Sequence, residues 1–433
     1  MGRKKLYQCF QEANGISIDT RTIKKNQIFF ALKGNNFNGN QYAEKALKKG
    51  ASHVVIDDKN YRLDDDRCIV VKDSLVALQD LATHHTKKLK IPIIAITGSN
   101  GKTTTKELVH AVLSTTYKTF ATKGNLNNHI GVPLSILSIQ PEHEVAIIEM
   151  GANHIDEINQ LCNIAQPVFG LITNIGKAHL KGFGSEKGIQ QAKGELFEYL
   201  DANNGHLFVN MNDFKVAEVA YFMKRVTTYG IGKFFNINGK AHVINPYLEV
   251  NWMPSNDEKL EEPLLLQTKL IGAYNLDNVL AAISVGRKLD VPPAQIKKGI
   301  ESYVPKNNRS QVVKHGSNTI ILDAYNANPS SMNAALSNLD LIDSKKKVVI
   351  LGDMLELGKY SAEEHEQIVK AAEDMKLDEI ILVGKEFAPY ANGYKHFDDS
   401  SGAAKWFKKQ KFSNTTILVK GSRGIALEKI LEE

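Results

Sequence analysis

The segment Ile91-Pro-Ile-Ile-Ala-Ile-Thr-Gly-Ser-Asn-Gly-Lys-Thr-Thr-Thr105 limits the folds open to this chain more than any other stretch. An apolar, β-branched run from Ile93 to Ile96 leads straight into a glycine-rich turn, and a helical pattern follows from Glu107. Strand, tight turn and helix start, in that order, build a phosphate cradle. Gly98 and Gly101 let the backbone approach an anion, and a helix start offers unpaired N–H groups at the positive end of its dipole. Ser99, Asn100 and Thr104 complete the loop, Lys102 can reach the β- and γ-phosphates, and the Thr103 hydroxyl can serve Mg²⁺. The common form of this pattern has glycine where this chain has Ile96. The expectation is a protein that binds a nucleoside triphosphate.

With 433 residues the chain is long for one core, and two or three domains are expected. Hydrophobic residues at 42% and charged residues at 24% suit an ordinary globular protein, and no apolar run approaches the ~20 residues that span a bilayer. The basic start lacks the apolar core of a secretory signal, and Cys9, Cys68 and Cys162 are too scattered for a disulfide framework or a zinc site. A cytoplasmic protein without membrane insertion is expected. The net charge of +6 is interspersed, which fits small anionic substrates and argues against a nucleic-acid partner.

Three blocks follow from the pattern, with expected domains at 1–86, 87–308 and 309–433. In the first, Gln27–Leu32 and His53–Asp57 read as strands, and Tyr42–Lys49 as a helix closed by Gly50. Lys87–Pro92 reads as the linker. In the second, strands at Ile93–Ile96, Val145–Glu149, Phe169–Thr173 and His206–Val209 alternate with helices, the mark of a parallel, doubly wound sheet. Gly230–Lys269 reads as edge hairpins and Asn275–Leu289 as a helix. In the third, Asn318–Leu322, Lys347–Leu351, Glu379–Val383 and Thr415–Val419 read as strands, each followed by a loop and a helix. Loops beginning at Asp323, Gly352 and Lys420 leave the carboxyl ends of those strands, where open parallel sheets bind ligands.

Several residues carry candidate chemistry. Glu149 ends a buried strand, where a carboxylate can hold Mg²⁺ opposite the phosphate loop. His179 follows the next strand; a solitary histidine is more often a plain loop residue, so spacing leaves its role open. Lys193 falls with Ile189 and Phe197 on the apolar face of a helical pattern. An ammonium there must snorkel, pair or lose its charge.

Taken together, Thr97–Glu107, Gly124–Leu134, Ile148–Asn153, Thr173–Leu180 with Gly182-Phe-Gly184, Ala192–Glu195 and Gly272–Asn278 resemble the Mur ligases that build the peptide of bacterial cell-wall precursors. Asp323–Pro329 and Gly352–Gly358 are similar to the branch that joins D-alanyl-D-alanine to UDP-N-acetylmuramoyl-tripeptide, the MurF type. The resemblance covers almost the whole chain and is thinner in the first block, where Ser17–Arg21 and Phe29–Gly34 match the uridine-nucleotide end. It implies a small N-terminal α/β domain, a central P-loop ATPase domain and a C-terminal Rossmann-like domain. The implied enzyme is an ATP-dependent ligase working through an acyl phosphate, with these two small-molecule substrates and as a monomer. Thr103 and Glu149 would serve one Mg²⁺, and His179 with a carbamylated Lys193 a second. Lys102, Lys193 and His179 would be catalytic. Asn275, Arg309 and Asp323 would contact the nucleotide, while Thr20, Arg21, Lys33, Asn127, Asn128, Asn326 and Asn328 would contact the other substrates. Asp156, and Asn307-Asn308 before Arg309, stand where related sequences usually have glycine. Another Mur ligase or a folylpolyglutamate-synthase-like ligase, and a silent nucleotide-binding module, are the competing readings.

Overall fold

Four short strands, Ile16–Ser17, Ile28–Phe30, His53–Ile56 and Cys68–Val70, pair in parallel in that order and form the first sheet. The computed structural model describes residues 3–243, 246–254, 262–306 and 308–431 of the chain. Ile28–Phe30 is buried throughout, as a strand covered on both faces must be. The helix Ala43–Lys48 closes at Gly50, whose φ of +92° lies in the left-handed region that glycine tolerates. The helix Ser74–Thr86 is capped by Asp73, which accepts from Val76 N at 2.8 Å. Its Thr86 hydroxyl donates to the Ile164 carbonyl at 2.9 Å, so the helix that ends the first block is already fastened to the second.

The central sheet runs Val226–Gly230, His206–Asn210, Phe169–Ile172, Ile93–Thr97, Val145–Glu149 and Thr119–Ala121, all parallel. From Ile93–Thr97 the chain first fills positions on one side and then crosses to the other with Phe169–Ile172. That reversal opens a crevice at the carboxyl end of the phosphate-loop strand. Ile96 pairs with Glu149 and Leu171 and is fully buried, so the position where the common pattern has glycine belongs to the strand here. The helix after the loop starts at Lys102, five residues before the apolar repeat suggests. Left-handed Gly101 opens it, and its first turn is polar because it faces the crevice rather than the core. The expected edge hairpins form an antiparallel meander of Ile237–Val243, Tyr247–Pro254 and Leu264–Ile271. Alternating burial in Tyr247–Pro254 shows one face packed, with Trp252 sealed beneath it.

The third sheet begins with the antiparallel pair Gln311–His315 and Asn318–Asp323. Parallel strands follow in the order Asn318–Asp323, Thr415–Lys420, Lys346–Gly352, Glu379–Val383 and Lys395–Phe397. The last strand in sequence thus inserts between the first two parallel ones and sets Asp323 opposite Lys420. No α-helix follows it among the described residues, contrary to the sequence pattern. Gly421 and Gly424 and the left-handed Ala426 (φ +54°) break the segment into 3₁₀ turns at Arg423–Ile425 and Leu427–Leu431.

Leu78 on the fastening helix is fully buried in an apolar cluster shared by the first and central sheets. Leu78→Ala is expected to lower unfolding free energy by about 2–5 kcal/mol in urea titrations.

Candidate active site

The phosphate loop is set by a neighbouring strand exit rather than by its own sequence. Gly98 sits at φ +141°, and a Cβ there would stand 2.0 Å from Thr173 Oγ1; one on Gly101 (φ +77°) would stand 2.6 Å from Asn278 Oδ1. The Thr173 hydroxyl donates to the Asn100 carbonyl at 2.6 Å, Asn100 N donates to Asn174 Oδ1 at 3.0 Å, and the Ser99 hydroxyl donates to the Gly176 carbonyl at 2.8 Å. The helix Lys102–Leu113 has no side-chain cap, which leaves N–H groups at its start for an anion. Lys102 Nζ folds onto the carbonyls of Gly98 (2.6 Å) and Ser99 (3.0 Å). Burial pulls its pKa down to about 8; Glu149 opposes that fall, and Arg309 adds to it.

Thr103 Oγ1 donates to Glu149 Oε2 at 2.9 Å, and Asn127 Nδ2 donates to Glu149 Oε1 at 2.8 Å. A hydroxyl and a carboxylate side by side are hard oxygen donors of the kind that fit Mg²⁺. Asn128 caps the turn into Gly131–Ile136 through Gly131 N at 2.9 Å. His179 adopts a left-handed backbone (φ +51°), and its Nδ1 lies 2.5 Å from Glu356 Oε2 in an ion-pair contact without aligned hydrogen-bond geometry.

Lys193 is 1% exposed between Ile189 and Phe197 on the helix Glu186–Ala202, as its spacing required. Snorkelling is ruled out by that burial. Its Nζ lies 5.2 Å from the Phe183 ring centroid and has no hydrogen bond or ion pair among the described residues. Burial, with repulsion from Lys102, brings its pKa to about 7, so much of the amine is neutral near neutral pH. Among the described residues no three His, Cys, Asp or Glu side chains converge as a metal cluster.

Loops of the third sheet form the opposite wall. The Arg309 guanidinium stacks 3.5 Å from the Tyr325 ring centroid, and Asp323 accepts from Lys420 Nζ at 2.6 Å and from Ser310 N at 2.9 Å. Asn308, just before Arg309, has φ +57°, while Asn307 lies outside the described residues. Asn275 is buried and donates to the Ile271 carbonyl at 2.7 Å. Asn328 caps Pro329–Leu341 and donates to Asn100 Oδ1 at 2.8 Å, joining this wall to the phosphate loop. The exposed Asn326 also faces the cavity, whose volume is about 760 Å³.

The cavity brings together Ser99–Thr104, Asn127, Asn128, Glu149, His179, Asn275, Arg309, Asp323, Asn326 and Asn328. Thr20, Arg21 and Lys33 lie apart from it on the first sheet. Arg21 pairs with Asp19 at 2.7 Å, Lys33 with Asp57 at 3.0 Å, and buried Thr20 accepts Lys49 Nζ on its carbonyl at 2.8 Å. Glu356, Tyr325 and Lys420 were not singled out from sequence, although each belongs to a strand-end loop that was. Asp156 occupies the glycine-like turn at φ +72°, and Glu195 holds its N–H at 2.5 Å.

Three family models match consecutive parts of the chain: "Mur ligase family, catalytic domain" at 12–95, "Mur ligase middle domain" at 96–286 and "Mur ligase, glutamate ligase domain" at 308–423. The UDP-N-acetylmuramoyl-tripeptide–D-alanyl-D-alanine ligase of Bacillus subtilis is 33% identical over 438 residues, spanning 97% of this chain and 93% of its own. That of Escherichia coli is 33% identical over 437 residues, spanning 96% and 93%. Among solved structures, MurF from Acinetobacter baumannii superposes with a TM-score of 0.88 at 29% identity, covering 99% and 97%. MurF ligase from Thermotoga maritima in complex with ADP gives 0.83 at 25%, covering 98% and 97%. The chain belongs to the Mur ligase family and, within it, to the MurF type.

Lys193 gives the fold a pH signature. Its pKa is about 7 when folded and ~10.4 when unfolded, so between these values the unfolded chain binds the extra proton. Stability should rise with pH across that window, by at most about 1.4 kcal/mol per unit, and the full cost of burial is present below it. Denaturant titrations in metal-free, CO₂-free buffer at pH 7 and 9 should show a steeper rise in wild type than in Lys193→Met, which keeps only the contribution of Lys102, itself drawn down to about 8.

Proposed function

We propose that this protein ligates D-alanyl-D-alanine to UDP-N-acetylmuramoyl-tripeptide at the expense of ATP, through an acyl phosphate, to give the UDP-linked pentapeptide precursor of peptidoglycan. The observation that carries the reading is a single cavity with a phosphate loop on one wall and ligand-bearing strand ends of a second parallel sheet on the other. Full-length likeness to proteins bearing that activity in their names supports it. We assign residues 1–86 to the UDP-substrate end, 87–308 to ATP and 309–433 to closing the site, in a cytoplasmic monomer. No described helix is long and apolar enough to cross a membrane.

In this reading the tripeptide carboxylate attacks the γ-phosphorus and releases ADP, and the dipeptide amine then attacks the acyl carbon, losing a proton as phosphate leaves. Two anions meet in the first step, so positive charge must be held between them. Gly98, Ser99, Asn100, Gly101 and Thr104 cradle the phosphates with backbone and hydroxyl donors, and Lys102 leaves its carbonyl partners to meet them. Thr103 and Glu149 would hold one Mg²⁺, and His179 and a carbamylated Lys193 would hold a second. These ions would neutralise phosphate charge and align the carboxylate with it. Asn275, Arg309 and Asp323 orient the nucleotide. Thr20, Arg21 and Lys33 bind the uridine end, and Asn127, Asn128, Asn326 and Asn328 position the peptide parts. Lys193 is buried with no hydrogen bond or ion pair among the described residues, a state that favours carbamylation over any role for a free ammonium.

Phosphate release from ATP should require both UDP-N-acetylmuramoyl-tripeptide and D-alanyl-D-alanine, with a product heavier by the dipeptide. Turnover with glutamate in place of the dipeptide would favour a folylpolyglutamate-like ligase, and ATP binding without release a silent module. Lys193→Ala should lose at least about 100-fold in kcat while retaining ATP binding, and short carboxylic acids should restore part of the activity. An unsupplemented Lys193→Ala enzyme with full activity would sink the second-metal role.

A further inference from the structure

The segment that carries His179 is held from the third-sheet side at several points. Lys177 N donates to Ser330 Oγ at 3.0 Å, and Lys177 Nζ meets Glu364 Oε1 at 2.6 Å. Lys181 N donates to the Glu356 carbonyl at 3.2 Å, and Tyr360 Oη donates to the Gly184 carbonyl at 3.2 Å. On its other flank, Gly176 N donates to the Ser99 hydroxyl at 3.0 Å, and that hydroxyl donates to the Gly176 carbonyl. Residues 176–184 therefore lie between the phosphate loop and the third-sheet elements, touching both.

Glu364 stands out among these contacts. Its side chain is 4% exposed, in the first turn of the helix Ser361–Glu373. A buried carboxylate without a cation is costly, and Lys177 is the ion-pair partner it has among the described residues. The Lys177 side chain is 36% exposed, and its backbone is bonded to Ser330 one residue after the helix-starting Pro329. Neither Lys177 nor Glu364 lines the cavity, so neither reaches a substrate there. Their effect on chemistry must pass through what they hold: Ser99 by way of Gly176, and His179 two residues further on.

We infer that Lys177 and Glu364 are a positioning pair for the ligase reaction, docking the helix Ser361–Glu373 onto residues 176–179 and so fixing His179 and the phosphate loop relative to the third-sheet wall. The inference rests on the function proposed above. A ligase of this kind must align groups contributed by two domains, and a misplacement of about 1 Å can cost roughly 100-fold in rate. An ion pair that is buried on one side and bonded through the backbone on the other gives that alignment a single register.

The test uses the full-length enzyme and dipeptide-dependent phosphate release. Lys177→Met should lower kcat by about 10- to 100-fold while leaving KM for ATP unchanged, because it loosens alignment and removes no nucleotide contact. Lys177→Arg should recover most of the rate. Adding Glu364→Gln to Lys177→Met should cost no more than Lys177→Met alone, since the charge left unpaired is then removed. Lys177→Met is the primary variant because its partly exposed side chain can change without leaving a hole in the core. Wild-type turnover with an unchanged kcat in Lys177→Met would overturn this inference alone, as would an Arg variant as slow as the Met one. A wild-type enzyme that releases no phosphate with the dipeptide would overturn the proposed function, and this role with it.

Discussion

The backbone of Gly98–Gly101 is held by Thr173, Asn174 and Gly176 at the exit of the adjacent strand, and the rest of the site depends on that contact. A glycine-rich turn alone has many conformations open to it. Here the Thr173 hydroxyl occupies the space a Gly98 Cβ would need and fixes the Asn100 carbonyl. The turn therefore has one shape before any anion arrives, which spares the ordering entropy that binding would otherwise carry. The same strand exit continues into Lys177 and His179, so the anion cradle, the candidate metal position and the contacts to the third sheet share one segment of backbone.

Burial makes two lysines of the central block uncomfortable as cations, Lys102 lining the cavity and Lys193 outside its lining. Lys102 and Lys193 are both drawn down, to about 8 and about 7, with burial as the main cause and mutual proximity lowering Lys193 further. An anion bound beside Lys102 would offset the cost of burying its ammonium and draw its pKa back up. The acidic groups of the opposite wall are arranged differently. Asp323 is already matched by Lys420 across adjacent strands, whereas Glu356 faces His179. The two walls thus differ in charge balance, as suits a site that must hold a polyanion on one side.

Much of this was legible in the sequence because it is local. Val145–Glu149 and Glu379–Val383 form the strands expected of them, residue for residue, since a run of buried apolar residues bounded by polar ones has few alternatives. Lys193 announced itself through helical spacing. The start of the phosphate-loop helix was misjudged because periodicity marks a core-facing stripe, and the first turn of Lys102–Leu113 faces a ligand instead. The segment after Thr415–Lys420 departs from the helical pattern because left-handed Ala426 splits it into two short 3₁₀ turns.

By itself the sequence determined the three-block α/β organisation, the phosphate cradle and the family resemblance, all carried by contiguous residues whose geometry is set within a few turns of chain. Only the tertiary structure decided that Asp323 meets Lys420, that Glu356 meets His179 and that Glu364 is neutralised by Lys177. These partners are separated by 97, 177 and 187 positions. Strand order and domain docking bring such pairs together, and both follow from burial of whole faces rather than from any local pattern.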